Sequence, residues 1–252
     1  MCAVSKNSTM FDPYKHFADP LAAPVEIIPA ILAKRFRDVE RQLLLVHEHA
    51  PHVQIDVVDG EFAHPASWPS TDRDAFEAIV KEEHGLPFWG ELEFEFDLML
   101  QRPHDEVRRF VRAGASRIVL HVRSEHVLDA FQTLIDLRQE GGDFAVAVGV
   151  AMLPTDQLDV LEPFEAQFDF IQVMGIDEVG KQGQPFNPQA IHVVERLRHR
   201  YPRLQLQVDG GVTKEHARAL VEAGANRLIV GSAIFGAKDP LAALAELQGA
   251  VR

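Results

Sequence analysis

Three stretches of the chain carry acidic residues inside runs of Val, Ile, Leu and Phe. They are Gln54-Ile-Asp-Val-Val-Asp-Gly60, Glu93-Phe-Glu-Phe-Asp97 and Val208-Asp-Gly-Gly211. Side chains alternate along a strand. Gln54 and Asp56 therefore share one face, and Glu93, Glu95 and Asp97 share another. If these faces look into a common mouth, Gln54, Asp56, Asp97 and Asp209 converge. An unpaired carboxylate is costly to bury, so the pattern marks either a site or a salt bridge to an inward-pointing Arg. Opposed carboxylates can carry out acid/base work on a substrate carbon. One removes a proton α to a carbonyl, the other returns a proton on the opposite face, and the result is epimerisation. The intermediate enediolate needs donors or positive charge beside it, which a divalent metal on the same oxygens would supply.

A second pair of motifs points to an anion. Leu206-Gln-Val-Asp-Gly-Gly-Val212 and Leu228-Ile-Val-Gly-Ser-Ala-Ile-Phe235 are apolar strands that run straight into glycine, and each precedes a helical pattern. Gly210, Gly211, Gly231 and Ser232 would present bare backbone N–H groups to a phosphate, near helix ends that favour negative charge.

The elements that must position these groups alternate regularly. Strands are expected at 26–30, 53–57, 92–98, 116–121, 144–150, 168–174, 204–208 and 227–230. Helical periods are expected at 34–48, 72–83, 105–113, 125–139, 156–161, 188–200, 214–223 and 240–248. Short strands rich in Val, Ile, Leu and Phe suit parallel strands buried on both faces. Eight strand–helix units without a linker imply one α/β domain, a single (β/α)8 TIM barrel over residues 25–252, with a short N-terminal extension over 1–24. Phe11, Tyr14 and Phe17 of that extension either stay loose or dock on the barrel or a partner subunit. The longest irregular stretches, 59–71 and 175–187, both follow a strand's C-terminal end, where barrels build their sites. Within the second, Gly180-Lys-Gln-Gly-Gln184 reads as a lid.

The net charge of −13 argues against a nucleic-acid surface. A single cysteine excludes a disulfide framework and suits a reducing cytoplasm. No apolar run is long enough for a membrane span, and the first residues lack a signal-peptide core.

The order of motifs resembles the ribulose-phosphate 3-epimerase family over about residues 25–250. The resemblance rests on Pro29-Ala-Ile-Leu-Ala-Lys-Arg-Phe36, Ile55-Asp-Val-Val-Asp-Gly-Glu-Phe62, Phe96-Asp-Leu-Met99 with Pro103, His121, Val173-Met174, Gly183-Gln-Pro-Phe186, Val208-Asp-Gly-Gly-Val212 and Gly231-Ser-Ala-Ile-Phe235. It implies an eight-stranded barrel that interconverts ribulose 5-phosphate and xylulose 5-phosphate. By position it makes Asp56 and Asp209 the acid/base pair, and Met99, His121 and Met174 substrate neighbours. Gly183 joins Gly210, Gly211, Gly231 and Ser232 at the phosphate. The family's metal is held by these two Asp and two His, and the His positions are Gln54 and Asp97 here. An all-oxygen set of Gln54, Asp56, Asp97 and Asp209 favours Mg²⁺ or Mn²⁺ over Zn²⁺, or no metal at all. Ala33 and Leu153 stand where the family has polar residues, and the lid is rewritten.

These departures leave several roles open. Lys181 either reaches an enediolate or phosphate in place of a metal, or is solvated. His121 either orients an acid or bonds a neighbouring strand. Arg123 is an alternative partner for Asp97, and Glu93 and Glu95 belong to the site or pair with inward cations. The leading expectation is a sugar-phosphate epimerase or isomerase with an altered metal site, forming homo-oligomers. The alternatives are a non-catalytic descendant that binds a phosphorylated metabolite, and a keto-sugar-phosphate decarboxylase or aldolase. The last lacks its lysine in Glu95-Phe-Asp-Leu-Met-Leu100.

Overall fold

The computed structural model describes residues 24–139, 146–165 and 167–252. The expectations placed on residues 1–23, and on Phe144 and Ala145 as strand, lie outside the described residues. Eight parallel strands close a barrel in sequence order. They are β1 (Glu26–Ile31), β2 (His52–Val58), β3 (Glu93–Met99), β4 (Ala115–His121), β5 (Ala147–Met152), β6 (Phe170–Met174), β7 (Gln205–Asp209) and β8 (Arg227–Val230). The outer ring comprises α1 (Phe36–Val46), α2 (Arg73–Val80), α3 (Val107–Arg112), α4 (Val127–Gln139), α5 (Gln189–Arg200), α6 (Lys214–Glu222), the short α7 (Ser232–Phe235) and α8 (Pro240–Ala250). No described helix is long and apolar enough to cross a membrane.

The unit after β5 differs from expectation. A 3₁₀ stretch, Leu158–Phe164, stands in place of the expected fifth helix, and it contains Pro163. Proline removes an N–H donor and crowds the preceding turn, which keeps this connection short. β5 also extends to Met152 rather than stopping at Val150.

The main apolar core lies between strands and helices. Trp68, Phe76, Phe110 and Phe96 form a run of aromatic contacts there, with centroid spacings of 5.6, 4.9 and 5.2 Å. The barrel's interior is mostly polar. Register fixes its layers, pairing Gln54 with Glu95 and Asp56 with Asp97 across β2–β3. It also pairs Glu95 with Arg117, Gln172 with Gln207, and Met174 with Asp209.

In the lower interior layer, Glu95 accepts from Arg117 Nε at 2.5 Å, Gln207 Nε2 at 2.8 Å and Arg227 Nη2 at 3.3 Å. Arg227 also reaches Glu26 at 2.8 Å. Despite burial, these cations hold the Glu95 carboxyl below its ordinary range, whereas burial and the nearby Arg117 lower Arg227 to about 10. Arg117 lies over the Phe170 ring at 3.8 Å. That ring occupies the space beside Gly149, where a Cβ would collide with it.

Candidate active site

Asp56 and Asp209 sit one layer above this ion cluster, at the C-terminal ends of β2 and β7. Gln54 Nε2 donates to Asp56 Oδ1 at 2.8 Å and to Asp209 Oδ2 at 3.1 Å. Asp97 completes the group, and one oxygen from each of the three carboxylates lies within 4.8 Å of the others. All three are buried. Asp97 is the best supplied with donors, accepting from His121 Nε2 at 2.8 Å and Gln172 Nε2 at 2.8 Å.

Gln172 Oε1 accepts in turn from Gln207 Nε2 at 2.6 Å, and Gln207 donates from the same nitrogen to Glu95. A continuous polar chain thus joins the lower ion cluster to the mouth. Burial first, and then the neighbouring Asp97 carboxylate, push the Asp56 carboxyl up to about 8. Burial, followed by the charges of Asp56 and Asp97, raises Asp209 well above the usual carboxylate range. Gln54's hydrogen bonds oppose both shifts.

The donor chemistry suits a hard cation. Three carboxylates converge, and Gln54 Oε1 is buried without a hydrogen-bond partner. Turning the Gln54 amide over would swap its donor for this acceptor and add a fourth oxygen to the set.

The glycine motifs border the same hollow. Gly210 and Gly211 adopt φ of +101° and +66°, a left-handed region open chiefly to glycine. With Gly231, Ser232 and Gly183 they line a cavity of about 40 Å³, whose other walls include Asp56, Asp209, Met99, Met174 and Lys181. The stretch 175–187 is closed over it. Gly180 packs against Ala63 and Val58, and Gln182 Nε2 donates to the carbonyl of Ala30 at 3.2 Å. A Cβ on Gly231 would overlap Gln182 Nε2, so this amide fills the space above the β8 glycine.

Other expectations resolve differently. Arg123 pairs with Asp156 at 2.5 Å, and the place beside Asp97 belongs to His121 instead. Glu95 is a buried partner of inward arginines, and Glu93 is exposed, 3.4 Å from His52. Lys181 borders the cavity while pairing with Glu178 at 3.1 Å. Beyond His121 lies a larger cavity of about 340 Å³, walled by His121, Ala151, Leu153, Arg123 and Lys181 among others.

Sequence reasoning missed Gln172, Gln207 and Gln182. The first two were detectable by the test that found the acids, because Gln172 alternates with Phe170 and Met174, and Gln207 with Asp209. The signal for Gln182 was a bulky amide within a lid read for its glycines and Lys181.

Comparison with known proteins bears on this geometry. A model of the ribulose-phosphate 3 epimerase family matches residues 26–235. The chain is 29% identical over 227 residues to a ribulose-phosphate 3-epimerase of Schizosaccharomyces pombe, covering 90% of this chain and 93% of that one. It is 26% identical over 231 residues to the Bacillus subtilis enzyme of that name, covering 89% and 99%. Among solved structures, 3-hexulose-6-phosphate synthase from Salmonella typhimurium superposes with a TM-score of 0.65 at 20% identity, covering 90% and 98%. KGPDC from Streptococcus mutans gives 0.66 at 11% identity, covering 91% and 98%. These last two speak to the fold alone.

Proposed function

The chain belongs to the ribulose-phosphate 3-epimerase family, and on that premise we propose that it epimerises a ketose phosphate through proton transfer by Asp56 and Asp209. The observation that carries this reading is the buried Asp56–Gln54–Asp209 bridge beside the backbone amides of Gly210, Gly211, Gly231 and Ser232.

Two carboxylates this close cannot both ionise cheaply. One holds a proton and the other is free to accept one. The ionised member takes the proton from the carbon next to the carbonyl. The protonated member delivers its own proton to the opposite face. The roles are then reversed, which lets the reaction run in either direction. Without a cation, Gln54 Nε2 donates to both acids and keeps them in register with each other; with one bound, the turned amide would hold them through the shared ion instead. Met99 and Met174 wall the reacting carbon, and Gly183 and Ser232 close the phosphate end.

Asp56, Asp97 and Asp209, with Gln54 Oε1, would hold a divalent cation. When bound, Mg²⁺ or Mn²⁺ would supply positive charge beside the oxygens that become negative. A site without histidine would be the altered form of the family's metal centre. The cavity of about 40 Å³ has room for about two or three waters. Residues 175–187 must therefore lift before a sugar phosphate enters.

The test is solvent-deuterium incorporation at C3 of ribulose 5-phosphate, with Mg²⁺ or Mn²⁺ supplied. Exchange is expected in the native chain. Asp56→Asn and Asp209→Asn should each lower it by a factor of at least about 100 while still binding the sugar phosphate. Absence of exchange at saturating substrate with either metal would remove the reading. Retained binding in that case would favour a metabolite-binding descendant.

A further inference from the structure

We propose that His121 recognises the hydroxyl on the terminal carbon beside the substrate's carbonyl, and so makes the protein selective for ketose phosphates that carry it. The inference rests on the sugar-phosphate reading of the Asp56–Asp209 site and names the part of the substrate that reading leaves unassigned.

The ring of strands sets the direction. Phosphate held by the glycines after β7 and β8 anchors one end of the substrate, and Asp56 and Asp209 flank the reacting carbon. β4 lies across the mouth from β8 in the closed ring of eight. The carbons beyond the reacting centre must run toward β4, where His121 ends the strand and walls the cavity of about 340 Å³.

Hydrogen bonding decides what His121 offers there. Gln172 Oε1 is taken by Gln207, which orients the Gln172 amide so that Nε2 points at Asp97. Asp97 thus acts as an acceptor on both sides, and His121 places its proton on Nε2 to meet it at 2.8 Å. In that tautomer Nδ1 carries a lone pair and accepts. The Phe62 ring, 5.3 Å away, packs against the imidazole and limits its rotation. His121 is only 4% exposed, so few waters can serve Nδ1 once the substrate covers it. A hydroxyl satisfies this acceptor, whereas a methyl group leaves it dry and unpaired.

The experiment compares C3 deuterium exchange in xylulose 5-phosphate and 1-deoxyxylulose 5-phosphate, with Mg²⁺ or Mn²⁺ saturating. The native chain should prefer the hydroxylated sugar in kcat/KM by at least about tenfold. His121→Phe should bring the ratio to near one. His121→Asn, whose amide oxygen occupies roughly the place of Nδ1, should retain a preference, while His121→Gln, which replaces Nε2, should not. A native ratio near one, or a preference that survives His121→Phe, overturns the proposal. If neither sugar exchanges, the acid/base reading fails on its own. The ratio of dissociation constants for the same two compounds, measured by calorimetry on the same variants, then decides the role of His121.

Discussion

Replacing Asp56 by Asn is expected to stabilise the metal-free protein at alkaline pH while removing the proposed proton transfer. Asp56 is buried, and its carboxyl is pushed up to about 8 from an ordinary value of 3.8. Between those values the folded chain holds a proton that the unfolded chain has released. Stability is therefore fully present below the unfolded value and lost as pH rises through the folded one, by up to about 1.4 kcal/mol per pH unit.

The window matters because other groups act in the opposite sense. His52 is lowered, so its contribution rises with pH, but this is largely complete near pH 7; Glu95, also lowered, acts on the acid side. From about pH 7 to about pH 8.5, Asp56 alone should cost the metal-free protein about 1 kcal/mol, and the raised Asp209 adds in the same direction. For a chain of 252 residues this is a fall of about 2–4 °C in melting temperature per kcal/mol. Urea unfolding in EDTA across that range measures it. The native chain should lose stability, and Asp56→Asn should be flatter and more stable at the upper end. A native chain whose stability holds or rises over this window refutes the argument that the acids are forced together unpaired.

Other consequences are accessible to simple assays. Binding of Mg²⁺ or Mn²⁺ should release a proton, because the cation favours ionisation within the Asp56–Asp209 pair while leaving it the one proton that the reaction needs. In weakly buffered solution near pH 7 the release should disappear in the Asp56→Asn, Asp209→Asn double variant. Glu95→Gln should destabilise the fold by about 3–5 kcal/mol, because buried Arg117 then loses its carboxylate partner and Arg227 keeps only Glu26; denaturant midpoints test this. Gly175→Ala should also destabilise, since its Cβ would overlap the carbonyl of Gly210, and a melting temperature equal to the native one would contradict the close approach. Gln182→Ala should tighten inorganic phosphate binding several-fold by vacating the space above Gly231, as read by calorimetry.

The barrel was legible because most units repeat one physical theme, a short strand rich in Val, Ile, Leu and Phe followed by an amphipathic helix. Asp56 and Asp209 were legible because period-two alternation placed them on inward faces where their burial needed a reason. Alternation alone could not rank Glu95 and Asp97. They share a face two residues apart, and only the register of β3 against β4 puts Glu95 beside Arg117 and leaves Asp97 one layer higher. The identity of Asp97's partner was hidden for a similar reason. Arg123 and His121 both lie near the end of β4, and the turn after it sends Arg123 outward to Asp156. The 3₁₀ stretch after β5 followed from Pro163, whose effect outweighed a helical spacing of apolar residues.

The Gln182 amide has a kinetic consequence. An arriving ligand finds its place taken by part of the host. Capture then proceeds no faster than residues 175–187 swing aside. Observed on-rates should level off as ligand concentration climbs, at a ceiling set by the protein's own motion rather than by diffusion.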